Sequence, residues 1–419
     1  MIGGTKRMCE EFVLSNGLRV VAEPIENYPS VSVGLWIGAG SMYESAEENG
    51  LSHFVEHILF KSTENRTKQI AVEMDALGGQ VNAFTAKECT CYYAKVIAEH
   101  LPRAMDLLCD MLLNARVDEA EFEKERGVIL EEIAMCEDTP EDLVYDLLAE
   151  AYFGEHPLAR PILGSHDQIA SIGREALLTF KKKHYRPDNT VLAIAGQFDR
   201  TQFRDMAERL LGGWHAEGET HIPAPVESTK PRMLTRKKDI EQVHMCLAFP
   251  GVEQDNDALY PISVMNNLFG GGMSSRLFQR IREEMGAAYS VYSFPSTYTN
   301  CGTFTVYAGT SPETAQKVAD ELHNQICLLR DGGVTQEEFD MAKEQLKVSY
   351  VLGLESSSSR MSAIGRSKLL RGRAVDPQDV IRKIEAVTKE DVERAAHEMF
   401  SKPFSASAVG RNVEGLKLM

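Results

Sequence analysis

The stretch Val117-Asp-Glu-Ala-Glu-Phe-Glu-Lys-Glu-Arg126 decides the fold of this chain, because a related stretch follows 217 positions later. That second stretch reads Val334-Thr-Gln-Glu-Glu-Phe-Asp-Met-Ala-Lys343 and aligns its Glu-Phe pair with that of the first. A strand-like apolar run after Pro187 also has a counterpart after Pro403, at nearly the same spacing. Internal similarity at one spacing indicates two homologous halves of about 210 residues each.

The domain organisation follows from this repeat. We predict a first domain at 1–215 and a second at 231–419, joined by a polar, proline-bearing linker at about 216–230. Each half alternates short segments rich in Val, Ile and Thr with long amphipathic segments of helical period. This alternation predicts an α+β fold.

A metal-binding pattern lies in the first half, where His53-Phe-Val-Glu-His57 interrupts an apolar run of helical period. On a helix, His53 and His57 stand one turn apart on one face, and Glu56 lies close to that face. Imidazoles are good zinc ligands, and a carboxylate beside the ion can take a proton from a water that the metal activates. The pattern therefore predicts hydrolysis. In the simpler alternative, both histidines pack in the core and Glu56 is solvated.

A catalytic zinc ion needs a third protein ligand from another element, together with an open position for water. The acidic segment 117–135 is predicted to be a helix, with Phe122, Val128, Ile129 and Ile133 on its apolar face. Glu125 and Glu132 are seven residues apart on it and share a face. Any one of the glutamates in this segment could equally be a solvated surface charge.

Composition restricts the class of protein. The chain has 419 residues, 43% of them hydrophobic and 26% charged, which suits an ordinary globular protein of about two domains. It contains no apolar run of membrane-spanning length, and residues 1–12 lack the apolar core of a secretory signal. We therefore expect a cytoplasmic protein that does not associate with membranes. The net charge of −17 argues against a nucleic-acid partner.

The chain resembles the inverted zincins of the pitrilysin and insulinase type, most closely the mitochondrial processing peptidase β subunit and its bacterial relatives. The resemblance rests on His53-Phe-Val-Glu-His57 and on Glu125-Arg-Gly-Val-Ile-Leu-Glu-Glu132, and it extends along almost the whole chain. It implies that Glu132 is the third zinc ligand, beside His53 and His57. It also implies that Glu125 is a second catalytic glutamate, which orients a ligand imidazole. The competing ligand Glu131 points about 100° away from Glu132 on a helix.

The resemblance sharpens the predicted fold to two homologous α/β-roll domains. Each would be a mixed, mainly antiparallel sheet backed by helices, and together they would form half of a clam shell. In the second half, the positions that match Glu125 and Glu132 are Ala342 and Ser349. We therefore expect one zinc ion per chain, bound by the first half.

Two further segments resemble the parts of the family that hold the substrate. The segment 77–85 resembles an edge strand whose Asn and Ala contact the substrate peptide, here Asn82 and Ala83. A generic hairpin is the alternative reading of this segment. In the second half, Arg282 and Tyr289 match a helical R-x-x-x-x-x-x-Y element that approaches the scissile peptide and could stabilise the oxyanion.

We interpret the chain as a zinc endopeptidase for unfolded oligopeptides or targeting-type peptides inside a closed chamber, with Glu56 as the general base. One alternative is a non-catalytic scaffold or core subunit, and another is an active subunit that requires a distinct inactive homologue. Family members of double length enclose their substrate with four such domains. A homodimer with composite active sites, in which Arg282 and Tyr289 serve the zinc site of the other subunit, would supply the same number.

Overall fold

Two β-sheets organise the chain, one in each of two units. The structure is a computed structural model that describes residues 9–66, 70–215, 218, 226 and 230–418. The first unit takes the described residues within 1–133, 161–223 and 352–377, and the second takes those within 134–160, 224–351 and 378–419. Most of the predicted linker at 216–230 lies outside the described residues.

The strands are short and mostly buried. In chain order they are β1 Glu10–Val13, β2 Arg19–Pro24, β3 Ser30–Ile37, β4 Gln80–Thr85, β5 Thr90–Ile97, β6 Thr190–Gly196, β7 Met233–Lys237, β8 Val243–Pro250, β9 Ala288–Thr297, β10 Gly302–Thr310 and β11 Ser405–Gly410. The first sheet has the order β1-β2-β6-β3-β5-β4, and the second has the order β7-β11-β8-β10-β9.

The two sheets share one topology. The pairs β2–β6 and β7–β11 are parallel, and all the other neighbours within each sheet are antiparallel. Apart from the extra strand β1, the second sheet repeats the strand order and the strand directions of the first. The prediction of two similar domains, each built on a mixed, mainly antiparallel sheet, is confirmed.

Helices cover the sheets. In chain order they are α1 Leu51–Leu59, α2 Ile70–Ala76, α3 Leu101–Asn114, α4 Glu119–Asp138, α5 Pro140–Phe153, α6 His166–Ser171, α7 Arg174–His184, α8 Arg200–Leu211, α9 Leu259–Phe269, α10 Ala315–Arg330, α11 Gln336–Gly353, α12 Ser357–Arg371, α13 Pro377–Ala386 and α14 Lys389–Phe400. Among the described residues, none of the helices is long and apolar enough to cross a bilayer.

Each unit contains one helix that comes from the other half of the sequence. Helix α12 belongs to the first unit. There Met361 Sδ accepts a hydrogen bond from Trp36 Nε1 of β3 at 3.3 Å, and the Ser357 and Ser32 hydroxyls lie 2.8 Å apart. Helix α5 belongs to the second unit, where Ser407 Oγ of β11 donates to the Val144 carbonyl at 2.7 Å. The compact units therefore differ from the contiguous division into 1–215 and 231–419, which remains a prediction about the sequence repeat.

Helix α1 is strongly one-sided, and this sidedness positions the candidate site. Its apolar residues recur at helical spacing and are almost fully buried in the core of the first unit: Leu51, Phe54, Val55, Ile58 and Leu59. The three residues of the metal-binding pattern are only partly buried. Because core packing fixes the rotation of the helix, the two histidines are held on its opposite side.

Candidate metal centre

The N-terminus of α1 is fixed by a buried carboxylate. Glu44 is 2% exposed and accepts hydrogen bonds from the backbone N–H groups of Gly50 at 2.8 Å and Ser52 at 2.7 Å. The side chain of Asn49 donates a third hydrogen bond to it at 3.0 Å. A carboxylate at this position satisfies N–H groups that have no partner within the helix, and it also suits the positive end of the helix dipole. The helix that carries both histidines is thus held at its start.

Three side chains converge beyond α1. His53 Nε2 lies 3.2 Å from His57 Nε2, and Glu132 Oε2 of α4 lies 3.7 Å and 3.5 Å from these two nitrogens. Bonds of about 2.0–2.1 Å to a tetrahedral zinc ion would separate the ligand atoms by about 3.3–3.4 Å. The donor set and the spacing therefore fit zinc. In the part of the chain that the structure describes, this is the one such cluster of His, Cys, Asp and Glu side chains.

The cluster is buried on the histidine side and open on the glutamate side. The side chains of His53 and His57 are 13% and 17% exposed, whereas that of Glu132 is 34% exposed. Burial, reinforced by the neighbouring His57, lowers the pKa of His53 to about 3. A neutral imidazole is the form that binds a metal. The competing Glu131 is exposed, and it is Glu132 that joins the histidines.

Glu125 lies behind the cluster, where it was predicted to orient a ligand imidazole. Its Oε2 is 3.3 Å from His57 Nδ1, and its side chain is 2% exposed. A carboxylate in this position can accept a hydrogen bond from Nδ1–H and leave the Nε2 lone pair directed at a metal. The other oxygen of Glu125 accepts from Lys61 Nζ at 2.8 Å. No pattern in the sequence predicts this lysine contact.

Glu56 lies beside the three-residue cluster and is not one of its members. Its Oε2 accepts a hydrogen bond from Thr85 Oγ1 of β4 at 2.5 Å. Burial raises the pKa of Glu56, and the hydrogen bond from Thr85 opposes that effect. Sequence reasoning did not select Thr85, although it ends the same segment that contains Asn82 and Ala83. A carboxylate held next to a metal-ligand cluster can act as a general base.

Strand β4 is the edge of the first sheet, as predicted for the segment that contains Asn82 and Ala83. It pairs with β5 on one side, and exposed and partly buried residues alternate along it. Asn82 is exposed, and its Oδ1 accepts a hydrogen bond from the backbone N–H of Ala83 at 2.8 Å. Because the same strand carries Thr85, its edge and the Glu56 carboxylate are joined by one short element.

Arg282 and Tyr289 lie in the second unit, whereas the metal-ligand cluster lies in the first. Arg282 is on a π-helical segment, Phe278–Glu284. The expectation that both residues lie on this helix is wrong, because the helix ends before Gly286 and Tyr289 is the second residue of β9. Tyr289 is 73% exposed, and the Arg282 guanidinium lies 4.9 Å from its ring centroid. The two side chains therefore form one exposed cation–π pair.

The apolar face predicted for α4 also needs one correction. Phe122, Ile129 and Ile133 are buried as expected, but Val128 is 39% exposed. The buried fourth member of that face is Glu125 instead. A charged side chain thus occupies a core position, because it has His57 and Lys61 as partners.

Comparison with known proteins agrees with this geometry. Residues 19–166 match the family model described as insulinase, peptidase family M16, and residues 171–346 match the model described as the peptidase M16 inactive domain. His53, His57 and Glu132 all fall within the first match. The chain is 41% identical to the uncharacterized zinc protease YmxG of Bacillus subtilis, over 96% of this chain and 98% of that protein. An uncharacterized zinc protease of Streptomyces coelicolor is 38% identical over 95% of this chain and 88% of its own length.

Solved structures share the fold at lower sequence identity. A crystal structure of a protease from Helicobacter pylori has a TM-score of 0.90 at 24% identity, over 96% of this chain and 99% of that one. A peptidase M16 inactive domain from Pseudomonas fluorescens has a TM-score of 0.90 at 20% identity, over 97% and 98% of the two chains.

The chain belongs to the insulinase family of peptidases, family M16. This membership confirms the predicted pitrilysin and insulinase resemblance and the prediction of a peptide-bond hydrolase. The closer resemblance to the processing peptidase β subunit remains a prediction.

Proposed function

We propose that this chain is a zinc endopeptidase that binds one zinc ion and cleaves unfolded oligopeptides or targeting-type peptides within a closed chamber. The observation that carries the proposal is the convergence of His53 Nε2, His57 Nε2 and Glu132 Oε2 at ligand spacing, with the Glu56 carboxylate beside them. When bound there, zinc would polarise the attacking water and the scissile carbonyl.

The proton transfers are assigned to Glu56. As a general base it takes a proton from the attacking water, and as a general acid it then delivers that proton to the nitrogen of the leaving amine. Both transfers require its carboxylate to stay in one orientation. The hydrogen bond from Thr85 to Oε2 supports that role, because it leaves the other oxygen free to face the reactants. Glu125 is assigned to hold His57 in the tautomer that binds the metal through Nε2.

The substrate is proposed to bind as an additional strand on the edge of β4. An exposed edge binds an extended peptide through main-chain hydrogen bonds, and this requires little of the peptide's sequence but does require it to be unfolded. Asn82 and Ala83 would make these contacts, close in sequence to Thr85. The net charge of −17 favours basic peptides.

The second unit is assigned a role in binding and in oxyanion stabilisation through Arg282 and Tyr289. Their exposure supports this assignment, because exposed Arg and Tyr side chains are available to a substrate. We propose that the chain acts as a homodimer, so that the Arg282 and Tyr289 pair of each subunit completes the zinc site of the other. A cytoplasmic location also remains part of the proposal.

Metal analysis combined with a quenched-fluorescent peptide assay tests the function. The purified chain alone should contain about one zinc per chain and cleave unstructured basic peptides, and it should lose activity to a chelator and regain it with zinc. A folded chain that takes up no zinc and cleaves no peptide would support the scaffold alternative. Zinc binding without cleavage, followed by cleavage once an inactive homologue is added, would support the alternative of an obligate mixed complex.

A further inference from the structure

Beyond the three ligands and the two catalytic glutamates, we infer that Lys61 is a positioning residue for the metal site, which acts on His57 through Glu125. This inference rests on the proposed zinc function. Lys61 lies in the turn directly after α1, where its backbone N–H donates to the Ile58 carbonyl at 3.1 Å. It is therefore close in sequence to the histidines, yet its ammonium group contacts α4.

The contacts form a chain of three side chains. Lys61 Nζ lies 2.8 Å from Glu125 Oε1, and Glu125 Oε2 lies 3.3 Å from His57 Nδ1. Each carboxylate oxygen thus has its own partner. Because the lysine occupies one oxygen, the carboxylate cannot rotate freely about its last bond, and the second oxygen stays directed at the imidazole. His57 Nε2 is then directed toward Glu132 and His53, which lie on its far side.

Burial of Glu125 gives the lysine a stabilising role in this arrangement. Glu125 is 2% exposed, whereas Lys61 is 35% exposed. A buried carboxylate is costly unless an opposite charge and hydrogen bonds compensate it. The ligand imidazole must remain neutral to bind a metal, so it cannot supply that opposite charge. Lys61 supplies the charge at Oε1, the oxygen that is not the one next to His57.

The internal repeat separates this role from general support of the fold. Both halves anchor the aligned glutamate at the start of the corresponding helix: Glu121 of α4 accepts from Ser62 Oγ at 2.7 Å, and Glu338 of α11 accepts from Arg276 Nε at 2.7 Å. The Lys61–Glu125 pair has no such counterpart, because the position that matches Glu125 is Ala342, whose side chain cannot accept a hydrogen bond. The Lys61–Glu125 pair is therefore found only in the half that contains the metal-ligand cluster, whereas the hydrogen bond to the Glu121 position is found in both halves.

The test measures zinc affinity, which does not depend on peptidase activity. Lys61→Met should weaken zinc binding about 10-fold or more, as loss of an outer partner of a metal ligand commonly does. Lys61→Arg should restore most of the affinity. Competition with a chromophoric chelator gives the dissociation constants, and the visible absorption of the cobalt-loaded proteins should differ between Lys61→Met and wild type.

Two variants serve as controls. Ser62→Ala removes the neighbouring hydrogen bond to α4, and Lys347→Met removes an ion pair of similar length on the protein surface. Both controls should keep wild-type zinc affinity.

A double-mutant cycle tests whether Lys61 acts through Glu125. In a Glu125→Gln background, Lys61→Met should have little further effect on zinc affinity, because the carboxylate that it orients is gone. Independent, additive losses would overturn the inference, as would unchanged affinity in Lys61→Met or an equal loss in Ser62→Ala. If Lys61→Met does not fold, Lys61→Gln replaces it in the same cycle. A folded wild-type protein that binds no zinc would instead refute the proposed function itself.

Discussion

Thr85 Oγ1 donates a hydrogen bond to Glu56 Oε2 at 2.5 Å, which joins the edge strand of the first sheet to the carboxylate beside the two histidines. Thr85 has one hydroxyl proton, and its oxygen lies 2.5 Å from Glu56 Oε2 but 3.5 Å from the Thr90 hydroxyl oxygen. The proton of Thr85 is therefore available to Glu56. A change in β4 therefore affects the carboxylate that we propose as the general base.

We expect Thr85→Val, which keeps the shape but removes the hydroxyl, to lower kcat about 10-fold, since one hydrogen bond to a charged group is worth about 1.5–3 kcal/mol. KM and zinc content should stay close to wild type, because neither β4 pairing nor the ligands change. Thr85→Ser should restore kcat. Steady-state kinetics with a fluorogenic peptide measures both parameters, and a loss confined to KM would contradict the assignment.

Replacing Glu56 with Gln separates metal binding from proton transfer. The amide has nearly the size of the carboxylate but cannot act as a base, and residue 56 is not among the three side chains proposed as metal ligands. We therefore expect zinc content equal to wild type and a fall in kcat of about 100-fold or more. Zinc analysis and peptide turnover are measured on the same sample. Loss of zinc in this variant would show that Glu56 is a ligand.

Metal retention distinguishes the two adjacent glutamates of α4. Glu132→Ala should lose zinc, because Glu132 Oε2 lies 3.5 Å from His57 Nε2. The exposed Glu131 serves as the matched control, and Glu131→Ala should keep the metal. Plasma emission analysis after dialysis gives the zinc content of both variants. The reverse result would move the third ligand by one residue.

The second unit offers a prediction about pH and stability. Burial alone would raise the pKa of Glu338, but hydrogen bonds from Arg276 and from Thr335 outweigh burial and lower the pKa to about 2. A carboxylate whose pKa is lowered by folding stabilises the folded state at pH values above its unfolded-state pKa, near 4.5. This stabilisation is lost as the pH falls toward 2.

Glu338→Gln should therefore lower the free energy of unfolding at pH 7 by about 1–2 kcal/mol, after allowance for solvent screening. The difference from wild type should shrink as the pH is lowered from 4.5 toward 2. Urea denaturation at several pH values measures it. Glu337→Gln changes an exposed glutamate on the same helix and should have little effect. A deficit for Glu338→Gln that did not change with pH would contradict this account.

The proposed homodimer predicts complementation. Neither Glu56→Gln nor the double variant Arg282→Ala/Tyr289→Phe should be active alone. In a mixed dimer, however, one site combines an intact zinc half with an intact second half. With equal amounts and free exchange, about a quarter of all sites should be restored. Activity of the exchanged mixture is compared with the sum of the separate variants. A stable, fully active monomer in light-scattering measurements would exclude the shared site.

Local patterns and the family resemblance together predicted which side chains would converge at the candidate metal site. The period of α1 places His53 and His57 on one face, and the spacing of Glu125 and Glu132 places them on one face of α4. The family resemblance then distinguished Glu132 from Glu131. The shared faces follow from the geometry of a single helix, whereas the expected meeting of α1 with α4 came from the resemblance.

Contacts between elements distant in sequence could not be predicted in this way. Thr85 contacts Glu56, and Lys61 contacts Glu125, only because of tertiary packing. The periodicity of a segment does not predict which side chains of other segments it will contact. The same reason explains the exchange of α5 and α12, because an amphipathic pattern shows that a helix buries a face but not which sheet covers it. Val128 was wrongly assigned to the buried face because it is apolar, whereas the residue that is buried on that face is the charged Glu125.

The position of α12 in the sequence also affects when the first unit can fold during synthesis. The face of the first sheet that contains Trp36 is covered by α12, where any side chain in place of Gly365 would clash with the indole nitrogen. The ribosome makes this helix long after it has made the last strand of that sheet, β6. The first unit therefore cannot reach its native packing until residue 371 has left the ribosomal exit tunnel. The unit that contains the candidate metal site thus becomes complete only after most of the chain has been translated.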